Sequence, residues 1–444
     1  MRVAILGYGT EGQAALEHWN TAENHVTVCD QNEITLPEDV ASKTGPDYLQ
    51  DLHAFDVIVR SPGLYPGDIT AANPDQPHIL DKVTSVTNEF FKVCPSKNII
   101  GVTGTKGKGT TSSLISALLE AAGKTVHLGG NIGVAPLEML KNGIKPTDWV
   151  ILEMSSFQLI DLQHSPKIGV CLMIAPEHLN WHAEMEEYVN AKSQMFAHQT
   201  IHDLVVYNRV NAYSTEIASV SPAPKITYEV PSPDAEPLET KGVYYKDDSI
   251  YVDSLVVCKT SDIALLGRHN LENVCAAIAA SWQLIGQDTD LIKKVLHTFK
   301  GLPHRLELVR TLKDVSYYDD SFGTTPETAI VAIQAFEQPK VVILGGSSKE
   351  ASFENLAQIV ASHNVRAAVL IGDTAPDIEK ALRAAGYENI VAGGETMASI
   401  VTTAQAQAKA GDIVLLSTGC ASFGLFENYK DRAKQFQAVV KALK

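Results

Sequence analysis

IIGVTGTKGKGTTSSLISALLEAAG, residues 99–123, runs from an apolar segment through a glycine-rich turn into a helical pattern. That order cradles phosphate, because glycines let the chain turn tightly and the free amide groups at a helix start face an anion. Gly104 and Gly107 make the turn, Lys108 reaches between terminal phosphates, and the helix is expected over residues 110–119. Two details depart from the general loop. Val102 breaks the formal spacing, and Gly109 follows the lysine where a magnesium-binding hydroxyl is usual. Thr110 is the next hydroxyl in the chain, with water as the other candidate ligand. Thr105, Lys106, Gly107, Lys108, Gly109 and Thr110 are therefore expected to hold a triphosphate, Lys106 reading equally as an anion ligand or as a solubilising lysine.

The rest of the chain is consistent with a multi-domain α/β protein. Its 444 residues exceed one ordinary core and predict two to four domains. Hydrophobic residues at 45% and charged residues at 20% describe a globular composition, and no apolar run reaches the roughly 20 residues of a membrane span. The start MRVAILGYGT lacks an export signal, so a cytoplasmic location is expected. A net charge of -16 opposes non-specific nucleic-acid binding but leaves room for local phosphate sites. The six cysteines show no CxxC spacing and read as buried thiols.

Three sections follow, at residues 1–92, 93–300 and 301–444. The first opens with MRVAILGYGTEGQAALEHW, a strand, a turn with Gly7, Gly9 and Gly12, and a helix; HVTVCD then ends a strand at Asp30, and FDVIVRSPGL ends one at the Ser61-Pro62-Gly63 turn. This glycine pattern fits a diphosphate, or simply a turn that packs a helix on a sheet; nicotinamide chemistry is the alternative. In the second section DWVILEMSS, IGVCLMIAPEHLNWH and DLVVYNRV read as strands that deliver polar residues at their ends, with β-hairpins expected between 210 and 260. Gly301 and Pro303 interrupt the helical pattern near 300, after which PKVVILGG, RAAVLIG and GDIVLLST restart the alternation.

Several side chains could carry chemistry. Glu153 and His178, each beyond an apolar strand, are candidate magnesium ligands or caps, while Glu177 and His182 fit local turns. Lys192 by composition is a solvated helix lysine. His269, Asn270 and Asn273 could hold a base or cap a helix, Arg305 could compensate phosphate charge, and Asp320 could contact a ribose or metal. Lys349 could face a carboxylate or phosphate, Ser422 could hydrogen-bond an acidic substrate, and Tyr429 could line that site or simply pack.

The ordered set TGTKGKGTT, GGNIG, EMSSFQL, PEHLNWH, LLGRHNLEN, GLPHR and LSTGCASFGLFENYKDR resembles the Mur ligases over nearly the whole chain. The resemblance implies a three-domain architecture, with an N-terminal Rossmann-like domain for a UDP-muramoyl substrate, a central P-loop domain for ATP and a C-terminal Rossmann-like domain for the incoming amino acid. It implies that Thr10, Glu11, Gly12, Asp30, Ser61, Pro62, Gly63, Asn131 and His178 surround UDP-N-acetylmuramoyl-L-alanine. It further implies that Thr110, Glu153, His178 and Lys192 serve Mg2+, the lysine as a carbamate. Lys108, Arg305 and Lys349 would join them in catalysis. His269, Asn270, Asn273 and Asp320 would meet the nucleotide, and Thr324, Lys349, Ser422 and Tyr429 a glutamate. The implied reaction transfers the ATP γ-phosphate to a carboxylate, and the amine of glutamate, D-glutamate by resemblance, attacks the acyl-phosphate. A monomer is implied.

Two departures from the family pattern bear on this: TGTKGKGT replaces TGTNGKST, and Phe322 in DDSFGTTPE stands where a lysine is usual. L-glutamate or another acidic amino acid is the first alternative to D-glutamate. A folylpolyglutamate synthase-like ligase is disfavoured by SPG, GGNIG and the C-terminal pattern. A nonenzymatic nucleotide-binding protein is disfavoured by the retained Lys108, Glu153, His178, Lys192 and Lys349.

Overall fold

The computed structural model describes residues 1–131, 133–233, 235–347 and 351–444. Three sheets follow one another along the chain. The first contains β1 (Arg2–Leu6), β2 (His25–Asp30), β3 (Ala41–Thr44), β4 (Val57–Arg60) and β5 (Val83–Ser85), all parallel in the order β3-β2-β1-β4-β5. The order reverses between β1 and β4, so the glycine turn after one and the Ser61 turn after the other emerge side by side. Gly12 is required here by space: a Cβ on it would lie 2.0 Å from the carbonyl oxygen of Gly7.

The second sheet is built from β6 (Ile99–Thr103), β7 (Val126–Gly130), β8 (Trp149–Glu153), β9 (Ile168–Cys171), β10 (Leu204–Asn208), β11 (Lys225–Glu229), β12 (Val243–Lys246), β13 (Ser249–Val252) and β14 (Leu255–Lys259). Its order is β14-β13-β12-β11-β10-β9-β6-β8-β7, parallel from β7 to β12 and antiparallel beyond. Every residue of β6 and β8 is buried, which is why both read as unbroken apolar runs rather than alternating ones. The hairpin joining β12 to β13 turns through Asp247 and Asp248, both at positive φ, and stacks Tyr244 on Tyr251 across the strands.

The third sheet holds β15 (Glu307–Leu312), β16 (Val315–Asp319), β17 (Lys340–Gly345), β18 (Val365–Ile371), β19 (Ile390–Ala392) and β20 (Ile413–Leu416), in the order β15-β16-β20-β17-β18-β19. Only β15 is antiparallel. Apolar clusters cover both of its faces, Ile333, Leu356 and Leu382 among the residues of one, Ile400, Phe436 and Val440 among those of the other.

By density of contacts the chain forms two units, Met1–Asp262 with Leu271–His297, and Ile263–Asn270 with Thr298–Lys444. Within the first unit a single apolar cluster takes Val3, Val28 and Phe90 from around the first sheet together with Ile99, Leu152 and Phe196 from around the second. All six cysteines are free and buried, as their spacing led us to expect. Among the described residues no helix is long and apolar enough to cross a membrane.

Candidate functional site

β6 lies between β9 and β8, so its loop opens at the point where the second sheet's connections diverge. The helix after it spans Lys108–Ala121 and starts two residues earlier than expected. Gly107 is its N-cap at φ 86, a left-handed conformation that glycine adopts without steric cost. The side chain of Asn273 lies over this glycine: a Cβ there would stand 2.2 Å from Asn273 Oδ1, which also accepts a hydrogen bond from Thr111 Oγ1 at 3.2 Å. Lys108 Nζ donates to the carbonyl oxygens of Gly104 and Thr105 at 2.9 and 3.1 Å. Thr105 braces the far side, its Oγ1 donating to Ala175 O at 3.0 Å and lying 3.0 Å from the hydroxyl of Tyr188. Lys106 instead pairs with Glu177 at 2.5 Å.

Lys192, on the helix Met185–Ala197, is not the solvated lysine its composition suggests. It is 1% exposed, with Nζ 3.1 Å from Gly104 O, 3.3 Å from Thr103 Oγ1 and 4.6 Å from the centre of the Tyr188 ring. Burial, with the nearby charge of Lys108, pushes its ammonium down to about 7. Glu153 ends β8 buried at 5% exposure, and its Oε1 accepts from the Asn131 amide at 2.9 Å. His178 is at positive φ, its Nε2 3.6 Å from Glu177 Oε2, and desolvation followed by the surrounding lysines outweighs Glu177 and lowers its pKa. Hard divalent cations take oxygen ligands, and the buried carboxylate of Glu153 with the hydroxyl of Thr110 on the loop helix suits such an ion. An ammonium at Lys192 would repel it, whereas a neutral or carbamylated Lys192 would not.

Family models for the Mur ligase middle domain and for the Mur ligase glutamate ligase domain match residues 102–281 and 304–420. A UDP-N-acetylmuramoylalanine--D-glutamate ligase of Acetivibrio thermocellus is 34% identical over 100% of this chain and 96% of its own. One of Clostridium tetani is 32% identical over 100% and 97%. The chain belongs to the Mur ligase family. Solved structures agree at the level of fold. A UDP-N-acetylmuramate-alanine ligase from Thermotoga maritima superposes with a TM-score of 0.62 at 16% identity, covering 100% of both chains. A MurF ligase from the same organism, in complex with ADP, gives 0.60 at 17%, covering 99% of this chain and 95% of the other. Members of the family are ATP-dependent ligases that form amide bonds in peptidoglycan synthesis, and this Mur ligase is one of them.

At the first sheet of this Mur ligase, Asp30 is held by its own turn, accepting from the backbone N–H groups of Tyr8 and Asn32 at 2.9 Å each. Ser61 Oγ donates to Gly7 O at 3.2 Å, joining the two turns, and Thr10 begins the helix Thr10–Trp19. The Glu11 side chain pairs with a residue of the second section. Its Oε1 accepts from the Gln158 amide at 2.6 Å, Oε2 is buried without a hydrogen bond, and burial raises the carboxyl to about 7.

Sequence reasoning passed over Arg60. Wholly buried at the end of β4, it makes a two-pronged pair with Asp161 at 2.7 and 2.8 Å and donates to the carbonyl oxygens of Leu64 and Phe157 at 2.8 and 2.9 Å. An arginine ending an apolar strand was the available signal, but its partner lies 101 residues away. Trp181 of PEHLNWH was passed over too, and His182, expected to serve a local turn, proves to be buried. Trp181 Nε1 donates to Gly63 O at 3.1 Å and packs edge-on against Tyr65 and Phe157. The Nε2 of His182 lies 2.9 Å from Ser156 Oγ and its Nδ1 3.4 Å from Glu187, which accepts from the Tyr65 hydroxyl at 2.6 Å.

The second unit gathers a separate group. Asp320 is 4% exposed, accepts from Ser417 Oγ at 2.6 Å and from the Leu306 amide at 3.2 Å, and is raised to about 7 by burial. Burial, then Arg305, lowers His269 to about 4, so the ring is neutral; Asn270 Nδ2 donates to Leu266 O at 2.7 Å. Phe322, 39% exposed, lies between the Arg305 guanidinium, 5.6 Å from its ring centre, and the edge of Tyr429 at 5.5 Å. Arg432, also missed from sequence, is fully buried and donates to Ser321 O at 2.8 Å and Cys420 O at 3.3 Å, tying together the segments that carry Phe322 and Ser422. Ser422 is buried and Thr324 partly so; Lys349 lies outside the described residues.

Proposed function

We propose that this chain joins glutamate, specifically D-glutamate, to UDP-N-acetylmuramoyl-L-alanine at the cost of one ATP. The observation that carries the reading is the placement of buried Lys192 against the phosphate loop, beside Lys108, in a chain matched along its length by D-glutamate ligases. A carboxylate oxygen of the alanyl group attacks the γ-phosphorus and ADP leaves. The amine of glutamate, having shed its proton, then attacks the acyl carbon and phosphate departs. Lys108 and the amides of the Gly104–Thr110 loop neutralise phosphate charge where it develops.

Thr110, Glu153, His178 and Lys192 would hold Mg2+, with Lys192 carbamylated; the ion supplies charge compensation for the phosphoryl oxygens. Asn131 orients Glu153 through its amide, a contact of the kind that fixes a metal-binding carboxylate. In the second unit Arg305 would serve phosphate charge, Asp320 with His269 and Asn270 the nucleoside, and Thr324, Lys349, Ser422 and Tyr429 the glutamate. Asn273 serves the nucleotide by supporting Gly107.

Residues 1–92 would carry the UDP-muramoyl substrate on Thr10, Gly12, Asp30 and the Ser61-Pro62-Gly63 turn, with Glu11 contributing through its backbone. Residues 93–300 would carry ATP and 301–444 the amino acid. The enzyme would act in the cytoplasm as a monomer.

A product assay decides this: UDP-N-acetylmuramoyl-L-alanine and ATP-magnesium with D-glutamate, L-glutamate or other amino acids in turn. Ligated product with ADP from D-glutamate alone is expected. Product from L-glutamate alone would move the specificity, and absence of any ligated product would overturn the reading.

A further inference from the structure

The phosphate loop carries one more cation and one fewer hydroxyl than the general pattern, with Lys106 inside the turn and Gly109 after Lys108. The Lys106 side chain is 50% exposed, and its ammonium lies 2.5 Å from Oε1 of Glu177, in the segment that follows β9. Such a carboxylate, beside a loop whose amides and Lys108 attract anions, opposes phosphate entry unless it is neutralised. Lys106 neutralises it. The second oxygen of Glu177 is 3.6 Å from His178 Nε2, so the carboxylate keeps a polar neighbour if the lysine departs.

We propose that Lys106 is a second phosphate lysine held in reserve by Glu177, exchanging that carboxylate for the phosphate oxygens of an entering nucleoside diphosphate or triphosphate. This rests on the nucleotide-binding reading above and adds to it a charge exchange between two named side chains. The exchange suits lysine, whose ammonium is a compact charge with three donors on a flexible stem. It supplies positive charge to the phosphates from the chain itself, where Gly109 offers no oxygen to a cation. Glu177 in turn lowers nucleotide affinity by competing for Lys106.

Calorimetric titration of the full chain with ADP, in EDTA and in magnesium, tests the exchange. In EDTA, Lys106→Met is expected to weaken binding about tenfold and Glu177→Gln to tighten it severalfold, with the double variant binding more tightly than Lys106→Met alone because it also lacks the unneutralised carboxylate. Lys106→Met within about twofold of the parent, or Glu177→Gln no tighter than the parent, would overturn the proposal. So would a parent chain that binds ADP in magnesium but not in EDTA. A parent that binds ADP in neither condition removes the nucleotide reading itself, an outcome distinct from a binding parent matched by its Lys106→Met variant.

Discussion

Lys192 donates to the carbonyl oxygen of Gly104 at 3.1 Å from a site almost closed to water. This joins the helix Met185–Ala197 to the phosphate loop through an amine whose charged form is disfavoured by burial. Lys192→Ala and Lys192→Arg should each lower ligation by about 10–100-fold or more, because neither side chain can become a carbamate. Labelled bicarbonate should give a carbamate resonance in the parent that is missing from both variants. A fully active Lys192→Arg enzyme would remove the lysine from the metal network.

Glu11 sets a pH dependence of stability. Its carboxyl, raised from 4.5 to about 7, keeps its proton in the folded chain where the unfolded chain has lost it. The contribution is therefore complete below 4.5 and is lost as pH rises through about 7. Asp320 acts in the same direction, from 3.8 to about 7. Glu11→Gln, which cannot ionise, should flatten the fall in melting temperature across that window, and an unchanged pH profile would show that Glu11 is not proton-linked to folding.

Gly107→Ala should destabilise the chain by about 1–2 kcal/mol from the left-handed backbone alone. The close approach of Asn273 Oδ1 adds to this and should weaken nucleotide binding as the side chain is displaced. Denaturant unfolding together with ADP titration measures both effects. An alanine variant of parental stability would mean that the turn relaxes freely.

The strand-loop-helix at 99–123 was legible because its apolar run, its glycines and its helix all lie within one short stretch. The strand end bearing Glu153 was legible for the same reason, whereas His178 lies in the loop well beyond β9, which stops at Cys171; the three-sheet order followed from alternating patterns. Pairings across long separations were not. Nothing adjacent to Arg60 marks Asp161 as its partner, and Thr111 meets Asn273 across 162 residues. Lys192 reads as a surface lysine because its flanking residues are polar, whereas its environment is set by β6 and by Tyr188. Glu11 turns inward for Gln158, a partner that only the fold supplies.

Asp161→Ala should cost stability by about 3–5 kcal/mol, because it strands the buried guanidinium of Arg60. Asp161 is itself 23% exposed, so the lower part of that range is expected. Urea unfolding measures it, and a loss below about 1 kcal/mol would mean that the carbonyl oxygens around Arg60 suffice.

The apolar cluster shared by Val3, Phe90, Ile99 and Phe196 has a practical consequence for anyone dissecting the chain. A truncation between residues 92 and 99 would cut through continuous packing and leave greasy surface on both fragments. Expressed separately, the two pieces should clump or stay partly unfolded, and mixing them should restore solubility that neither has alone.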